Sequence, residues 1–410
     1  MTPKLIKVKI HFKSNRIDDV SAAVDSEFKK KFPKIKKGAR IGIACGSRGI
    51  SNLQEIVKRT VENVKKSGGE PFIIPAMGSH GGARADGQKK VLESLGITEK
   101  QVGASVVSSM EVIELKNDGL PVRVYFSKDA WKSDGTILIN RIKPHTDFHS
   151  SHESGLVKMS VIGLGKHEGA LEIHSFGVCG LKNHMPNAAK VIMESGKIIM
   201  GLALVENSFD ETAVVKALSA DEILSYEPSL LQIARKNMPC LPSNEIDLLV
   251  VKNQGKDISG TGMDPNIIGR MKIRDVPEPT SPCIKSIIVT DITDGSHGNA
   301  VGVGFADVIT KKLFDKIDFQ ATYENVITST FLERGKIPIV ADNPQKACET
   351  AIRSLGEFDP DKIRIVYIKD TLHLSEIYVS KAVYEDIKDE VTTISDYAEI
   401  FTKSGELINI

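Results

Sequence analysis

Residues 39–75 read ARIGIACGSRGISNLQEIVKRTVENVKKSGGEPFIIP. ARIGIAC is a near-continuous apolar run of strand length, and the turn Gly46-Ser47-Arg48-Gly49 closes it. Apolar residues at helical spacing then predict a helix over about 53–67, and PFIIP is a second short strand. Strand, crossover helix and strand make a βαβ unit, which implies a parallel sheet. In such sheets the loops at the strands' carboxyl ends carry function. The first such loop contains Arg48. The second, AMGSHGGARADGQ, sets His80 among Gly78, Gly81 and Gly82, where the backbone can come close to a ligand.

Further strands are expected at 121–126 and 135–140, the second (GTILIN) running straight into residues 140–177. Five of the ten histidines lie there: His145, His149, His152, His167 and His174, with Lys158 and Lys166 among them. If the strands are neighbours, Arg48, His80 and His145 reach one sheet edge. Imidazoles titrate near neutral pH and ligate metals, so the cluster proposes proton transfer, metal binding or both. Helices are expected at about 168–175 and 186–195, and a strand at 198–205.

A proline-rich link, PCLPSN at 239–244, marks a boundary. The chain is expected to form two α/β domains, 1–243 and 244–384, with the tail at about 385–410 packing back on the first and the active site in the interdomain cleft. The second domain opens with IDLLVV and leads to QGKDISGTGMDPNIIGRMK, a glycine-rich loop ending in Lys272. Strands are expected at 284–291, 337–340 and 363–368, and helices near 305–315 and 344–355.

Composition narrows the class. At 410 residues, 41% hydrophobic and 26% charged, the chain has ordinary globular proportions. A formal charge of +1 gives no global field to recruit nucleic acid or a membrane surface. The local run of Lys29, Lys30, Lys31, Lys34, Lys36 and Lys37 reads as a solvated helix face. Five scattered cysteines without a CxxC pair argue against a zinc ribbon or disulfide framework and for the reducing cytoplasm. MTPKLIKVKIHF lacks the apolar core of a signal peptide, and no apolar run approaches membrane-spanning length.

Common site motifs are absent: no GxxxxGK[ST], GxGxxG, HExxH or GxSxG occurs. His145, His149 and His152 are spaced four and three apart. On a helix they would share a face and could bind zinc with Asp147 or Glu153, as in a zinc-dependent hydrolase or lyase. Pro144 and the surrounding polar residues favour a loop instead. A non-catalytic hydroxy-acid-binding protein is a third reading.

The chain resembles the lactate racemase family, the nickel-pincer-nucleotide-dependent 2-hydroxyacid racemases and epimerases. The residues that carry the resemblance are Arg48 after the first βαβ strand, glycine-flanked His80, the Pro144-His145 pair, Lys158, His174 sixteen residues beyond it, and SGTGMDPNIIGRMK ending in Lys272. It spans roughly residues 40–275. Two departures stand out. The His145–Lys158 interval is about three residues longer than the family pattern and contains His149 and His152. Gly269 stands where a substrate-contacting glutamine is usual.

The resemblance implies inversion of C2 of a 2-hydroxy acid, lactate-like, malate-like or a sugar acid, by hydride transfer to and from the nickel-pincer nucleotide. It implies His80 and His145 as acid/base pair, Arg48 and Lys272 as substrate clamps, and Lys158 as the covalent tether of the cofactor. His174 would be the nickel ligand, and Gly260 and Gly262 would approach the nucleotide. His149 and His152, inside the longer interval, are candidates for substrate contact. Separate cofactor-biosynthesis proteins would be required, and a homo-oligomer is compatible with all of this.

Overall fold

The computed structural model describes residues 4–117, 119–357 and 359–408. The chain is an α/β protein that divides into two compact units, Lys13–Met238 and Met1–Phe12 with Pro239–Ile410. Strand β1 (Ile6–Ile10) is part of the second unit.

The Lys13–Met238 unit contains β2 (Arg40–Cys45), β3 (Glu70–Pro75), β4 (Val112–Leu115), β5 (Val124–Ser127), β6 (Gly135–Arg141), β7 (Ile198–Glu206) and β8 (Thr212–Leu218). Its main sheet has the order β3-β2-β6-β7-β8, parallel except for the final β7–β8 pair. The helix Leu53–Lys66 follows the expected spacing, burying Leu53, Ile56, Val57, Val61 and Val64. Alternate residues of each strand enter different cores. Ile43, Ile73, Ile137 and Leu202 belong to one, while Ala44, Ile74, Leu138 and Ala203 belong to the other. A sheet covered on both faces needs apolar residues on both, which is why ARIGIAC shows no polar alternation.

The second unit adds β9 (Glu245–Gln254), β10 (Cys283–Ile292), β11 (Val308–Thr310), β12 (Ile339–Ala341), β13 (Ile365–Ile368), β14 (Glu376–Val379) and β15 (Val391–Thr393). Its eight-stranded sheet has the order β12-β11-β10-β9-β13-β14-β1-β15. Strands β12 through β13 run parallel, and β14, β1 and β15 extend the sheet in antiparallel fashion.

Two expectations change here. The first strand does not join residues 13–243. It lies between β14 and β15, with Val8 opposite Ile377 and Thr393, and the tail expected to reach back at 385–410 joins the same sheet. An alternating strand such as IKVKI identifies its own buried face but not its partners. The helix expected near 305–315 is instead a short turn, then β11, then the helix Lys311–Asp315. The β-branched run VIT is short enough for its periodicity to fit either structure, and pairing between β10 and β12 decides it.

Candidate active site

The registers of β2 with β3 and β6 bring three carboxyl ends side by side, Cys45 opposite Pro75 and Ile139. Arg48, His80 and His145 follow those ends, so the expected juxtaposition is found. The Lys158 segment joins them. It starts as the short helix Leu156–Lys158 and widens at once into a π-turn over Met159–Gly163. Such π-turns recur at functional positions because they redirect side chains from the regular helical face. The helix Lys166–Ser175 follows and carries His174 in its last turn.

The closest contact within this group is between Lys158 Nζ and His145 Nε2, at 2.5 Å. The Asp147 backbone N–H donates to His145 Nδ1 at 3.0 Å. Nδ1 is therefore the accepting nitrogen, and in the neutral ring the proton resides on Nε2. An Nε2–H facing an amine needs that amine's lone pair. The arrangement thus favours Lys158 as a free amine. Burial first lowers its pKa, to about 8, with Asp147 opposing and the Arg48 charge reinforcing the shift.

The neighbouring cations act on one another in the same way. His80 is pushed down to about 4 by burial, by Arg48 and by Lys158. Because His80 is exposed on one side, the two cations are the firmer cause. His174 is lowered by burial and then by Lys158, with Asp147 opposing. Arg48 is lowered by burial and by Arg141. The result is a site with neutral imidazoles at His80 and His174, an amine that gives up its proton more readily than an ordinary lysine, and a guanidinium that remains charged.

Two buried carboxyls, reached from different parts of the chain, support these groups. Glu153 is fully buried and accepts from the His145 backbone N–H at 2.6 Å, the Ser150 N–H at 2.9 Å and the Arg235 guanidinium. Burial works against its charge. Hydrogen bonds from His149, His145 and Ser150, with the Arg235 charge, outweigh burial and hold the carboxyl below its ordinary value. Glu227, from the helix Ala220–Asn237, accepts from Val157 N–H at 3.0 Å at the start of the Lys158 segment. Burial raises its pKa to about 7, against hydrogen bonds from Val157 and Leu156.

His149 is exposed, its Nδ1 3.5 Å from Glu153. His152 is buried, with Nε2 2.8 Å from the Leu224 carbonyl and Nδ1 3.2 Å from Ser151 Oγ. Both its ring nitrogens are engaged by the fold, so its geometry does not present it to a substrate. The three histidines considered for zinc do not converge, and Glu153 is committed to His145, Ser150 and Arg235. Among the described residues, no group of three or more His, Cys, Asp or Glu is arranged to hold a metal ion.

The second unit carries Lys272, Gly260 and Gly262. Gly255 N–H donates to the Gly262 carbonyl and Gly262 N–H to Ser259, closing the glycine-rich loop; Gly260 is exposed and Gly262 buried. Lys272 has φ +48°, and its backbone N–H donates to Glu278 at 2.8 Å, leaving the side chain half-buried. Gly269 has φ +63°, and a Cβ there would lie 2.1 Å from the Pro282 carbonyl oxygen. The local backbone therefore requires glycine where the family pattern has glutamine.

Inspection of the sequence missed the supporting roles of Glu153 and Glu227. Glu153 closes a polar HSSHE run, a signal that something caps the loop. Glu227 had no such signal, since it lies seventy residues from Val157 and inside a helix.

No family model matches the chain, and no curated protein matches it. Among solved structures, the lactate racemase apoprotein from Thermoanaerobacterium thermosaccharolyticum is similar, with 13% identity and a TM-score of 0.46 over 96% of this chain and 92% of that chain. No helix among the described residues is long and apolar enough to cross a membrane.

Proposed function

We propose that this chain is a 2-hydroxyacid racemase or epimerase that works with a nickel-pincer nucleotide tethered at Lys158. The observation that carries the reading is the convergence of Arg48, His80, His145, Lys158 and His174, with Lys158 in contact with His145. The residues fit the group on chemical grounds. A half-buried amine with a lowered pKa is a nucleophile suited to covalent attachment. A neutral imidazole at His174 suits a nickel ion. When bound, the group supplies a reversible hydride acceptor, the hard part of inverting a 2-hydroxy acid.

The chain's own residues supply the rest. Arg48 stays charged and holds the substrate carboxylate through its planar fork. His80, neutral at pH 7, accepts the substrate hydroxyl proton and returns it. His145, whose tautomer is set by Asp147 N–H with the proton left on Nε2, is the second imidazole and stands as the acid when His80 is the base. Glu153 holds His145 from behind, and Glu227 orders the segment that presents Lys158. On the resemblance alone, Lys272 is assigned to substrate oxygen and Gly260 and Gly262 to the cofactor. Cofactor-biosynthesis proteins would supply the group. Free cysteines at 45, 179, 240, 283 and 348 suit the reducing cytoplasm.

The test is co-expression with cofactor-making proteins, followed by peptide mass analysis and a chiral assay on 2-hydroxy acids from lactate and malate to aldonates. The expected results are a mass adduct on the Lys158 peptide and inversion of one substrate class without deuterium entering C2 in D₂O. Deuterium at C2, or full turnover by Lys158→Ala, would overturn the assignment.

A further inference from the structure

We infer that Lys166 and Gln88, neither of which touches the reacting groups in the mechanism above, are positioning residues that hold His80 in the site. The inference rests on the reading of His80 as the base. Lys166 is fully buried and its backbone is left-handed, φ +56°. A non-glycine residue in that conformation is disfavoured by crowding of its Cβ against the backbone, and burying an amine adds a desolvation cost. A structural core position would be better served by leucine or methionine.

What Lys166 does instead is donate. Its Nζ reaches the Pro75 carbonyl at 2.5 Å, at the end of β3, and Gln88 Oε1 at 3.3 Å. Gln88 is also fully buried. Its Nε2 donates to the Gly78 carbonyl at 2.8 Å and to the His80 carbonyl at 3.3 Å. The contacts form a directed chain. The Lys166 amine fixes which end of the Gln88 amide is the acceptor, and that places the Gln88 NH₂ against the His80 loop. A flipped amide would turn its oxygen toward two carbonyls and its NH₂ toward an amine.

The loop is also packed hard against Gln88. A Cβ at Gly87 would lie 1.9 Å from the Gly81 carbonyl oxygen, and one at Gly81 would lie 2.5 Å from Gln88 N. Lys166 opens the helix that carries His174 in its last turn, so the same contacts connect that helix to the His80 loop. Burial lowers the Lys166 pKa to about 8, and Asp129 is the charged group that opposes this. The amine donates in either protonation state, so its positioning role does not depend on its charge.

The test uses the intact chain with ¹³C-labelled histidine. The His80 resonance is assigned by its loss in His80→Gln and followed by NMR through a pH titration. In the parent protein His80 should titrate well below an ordinary histidine. Gln88→Leu removes both donors to the loop without adding a charge, whereas Gln88→Glu keeps an acceptor for Lys166 but adds a carboxylate that itself raises a nearby histidine. In Gln88→Leu, and in Lys166→Met, the His80 titration should move up by about one unit or more as the ring leaves Arg48 and Lys158. Lys166→Arg, which still donates, should restore most of the parent value. If Lys166→Met fails to fold, Gln88→Leu decides the matter. An unchanged His80 titration in folded Gln88→Leu, even with a lowered melting temperature, would overturn the inference and leave the pair a stability element. The titration needs no loaded cofactor, so its outcome is independent of whether the chain proves to be a racemase. In loaded enzyme, kcat should fall at least tenfold in Gln88→Leu with little change in KM.

Discussion

The carboxyl ends of the two parallel sheets contrast in how their charges are treated. In the Met1–Phe12 and Pro239–Ile410 unit, Asp291 at the end of β10 pairs with Lys312 and Lys316, each at 2.8 Å. A polar cavity of about 160 Å³ beside it is lined by both signs, including Lys252, Lys312, Asp291, Asp342 and Glu406. In the Lys13–Met238 unit, Arg48, His80, Lys158 and His174 crowd together, and the pKa of each is lowered by burial and by a neighbouring cation. The first edge neutralises its charges locally and gains only modest stability from them. The second gathers groups of one sign, with Arg48, His80 and His174 exposed and Lys158 half-buried against His145. A cluster of that kind is suited to an anionic substrate, and perturbed groups of this sort concentrate at functional sites.

The contrast can be broken most severely at Lys158. Lys158→Ala should reduce racemisation to background and remove the peptide adduct while the apo chain stays folded, as read by chiral assay, mass analysis and circular dichroism. Glu153→Ala comes next. It leaves the His145 and Ser150 N–H groups and Arg235 without their buried acceptor and should cost about 3–5 kcal/mol in denaturant unfolding.

Glu227 should produce a pH signature. Its folded-state pKa is raised above the unfolded value, to about 7. The native state therefore holds the proton more tightly. The resulting stabilisation is complete below the ordinary carboxyl range and fades as pH rises through about 7, a change of up to about 3 kcal/mol. Unfolding free energies measured from pH 4 to 8 should show this slope, and Glu227→Gln should flatten it. Lys158 gives a chemical readout of the same edge. Its free-amine fraction grows with pH and is half-maximal near 8, so timed acylation of the apo chain should label Lys158 with a midpoint there, while exposed lysines continue to gain reactivity toward higher pH. A Lys158 profile like that of surface lysines would remove the electrostatic contrast. The smallest effect should come from Asp291→Asn on the neutralised edge, a loss of under about 1 kcal/mol with turnover unchanged.

How much of this was legible depended on the range of the signal. The stretch 39–75 carried its fold openly, because a buried strand, an amphipathic helix and a turn are written in neighbouring residues. The order of Arg48, His80 and His145 followed from strand ends, and β-pairing brought them together as expected. The three-residue β11 was hidden by a periodicity too short to read. His149 and His152 look alike in sequence, yet one is exposed beside Glu153 and the other is turned inward to the Leu224 carbonyl.

By itself, then, the sequence determined the α/β class and pointed to the strand ends and residue types of the candidate site, since these follow from local periodicity and side-chain chemistry. Tertiary structure alone decided which sheet received β1, which histidine was spent on the fold, and which carboxyl would stand behind Lys158. Those outcomes depend on partners as distant as Glu227 from Val157, and a buried polar group's partner is chosen by how helices and sheets pack, not by its neighbours along the chain.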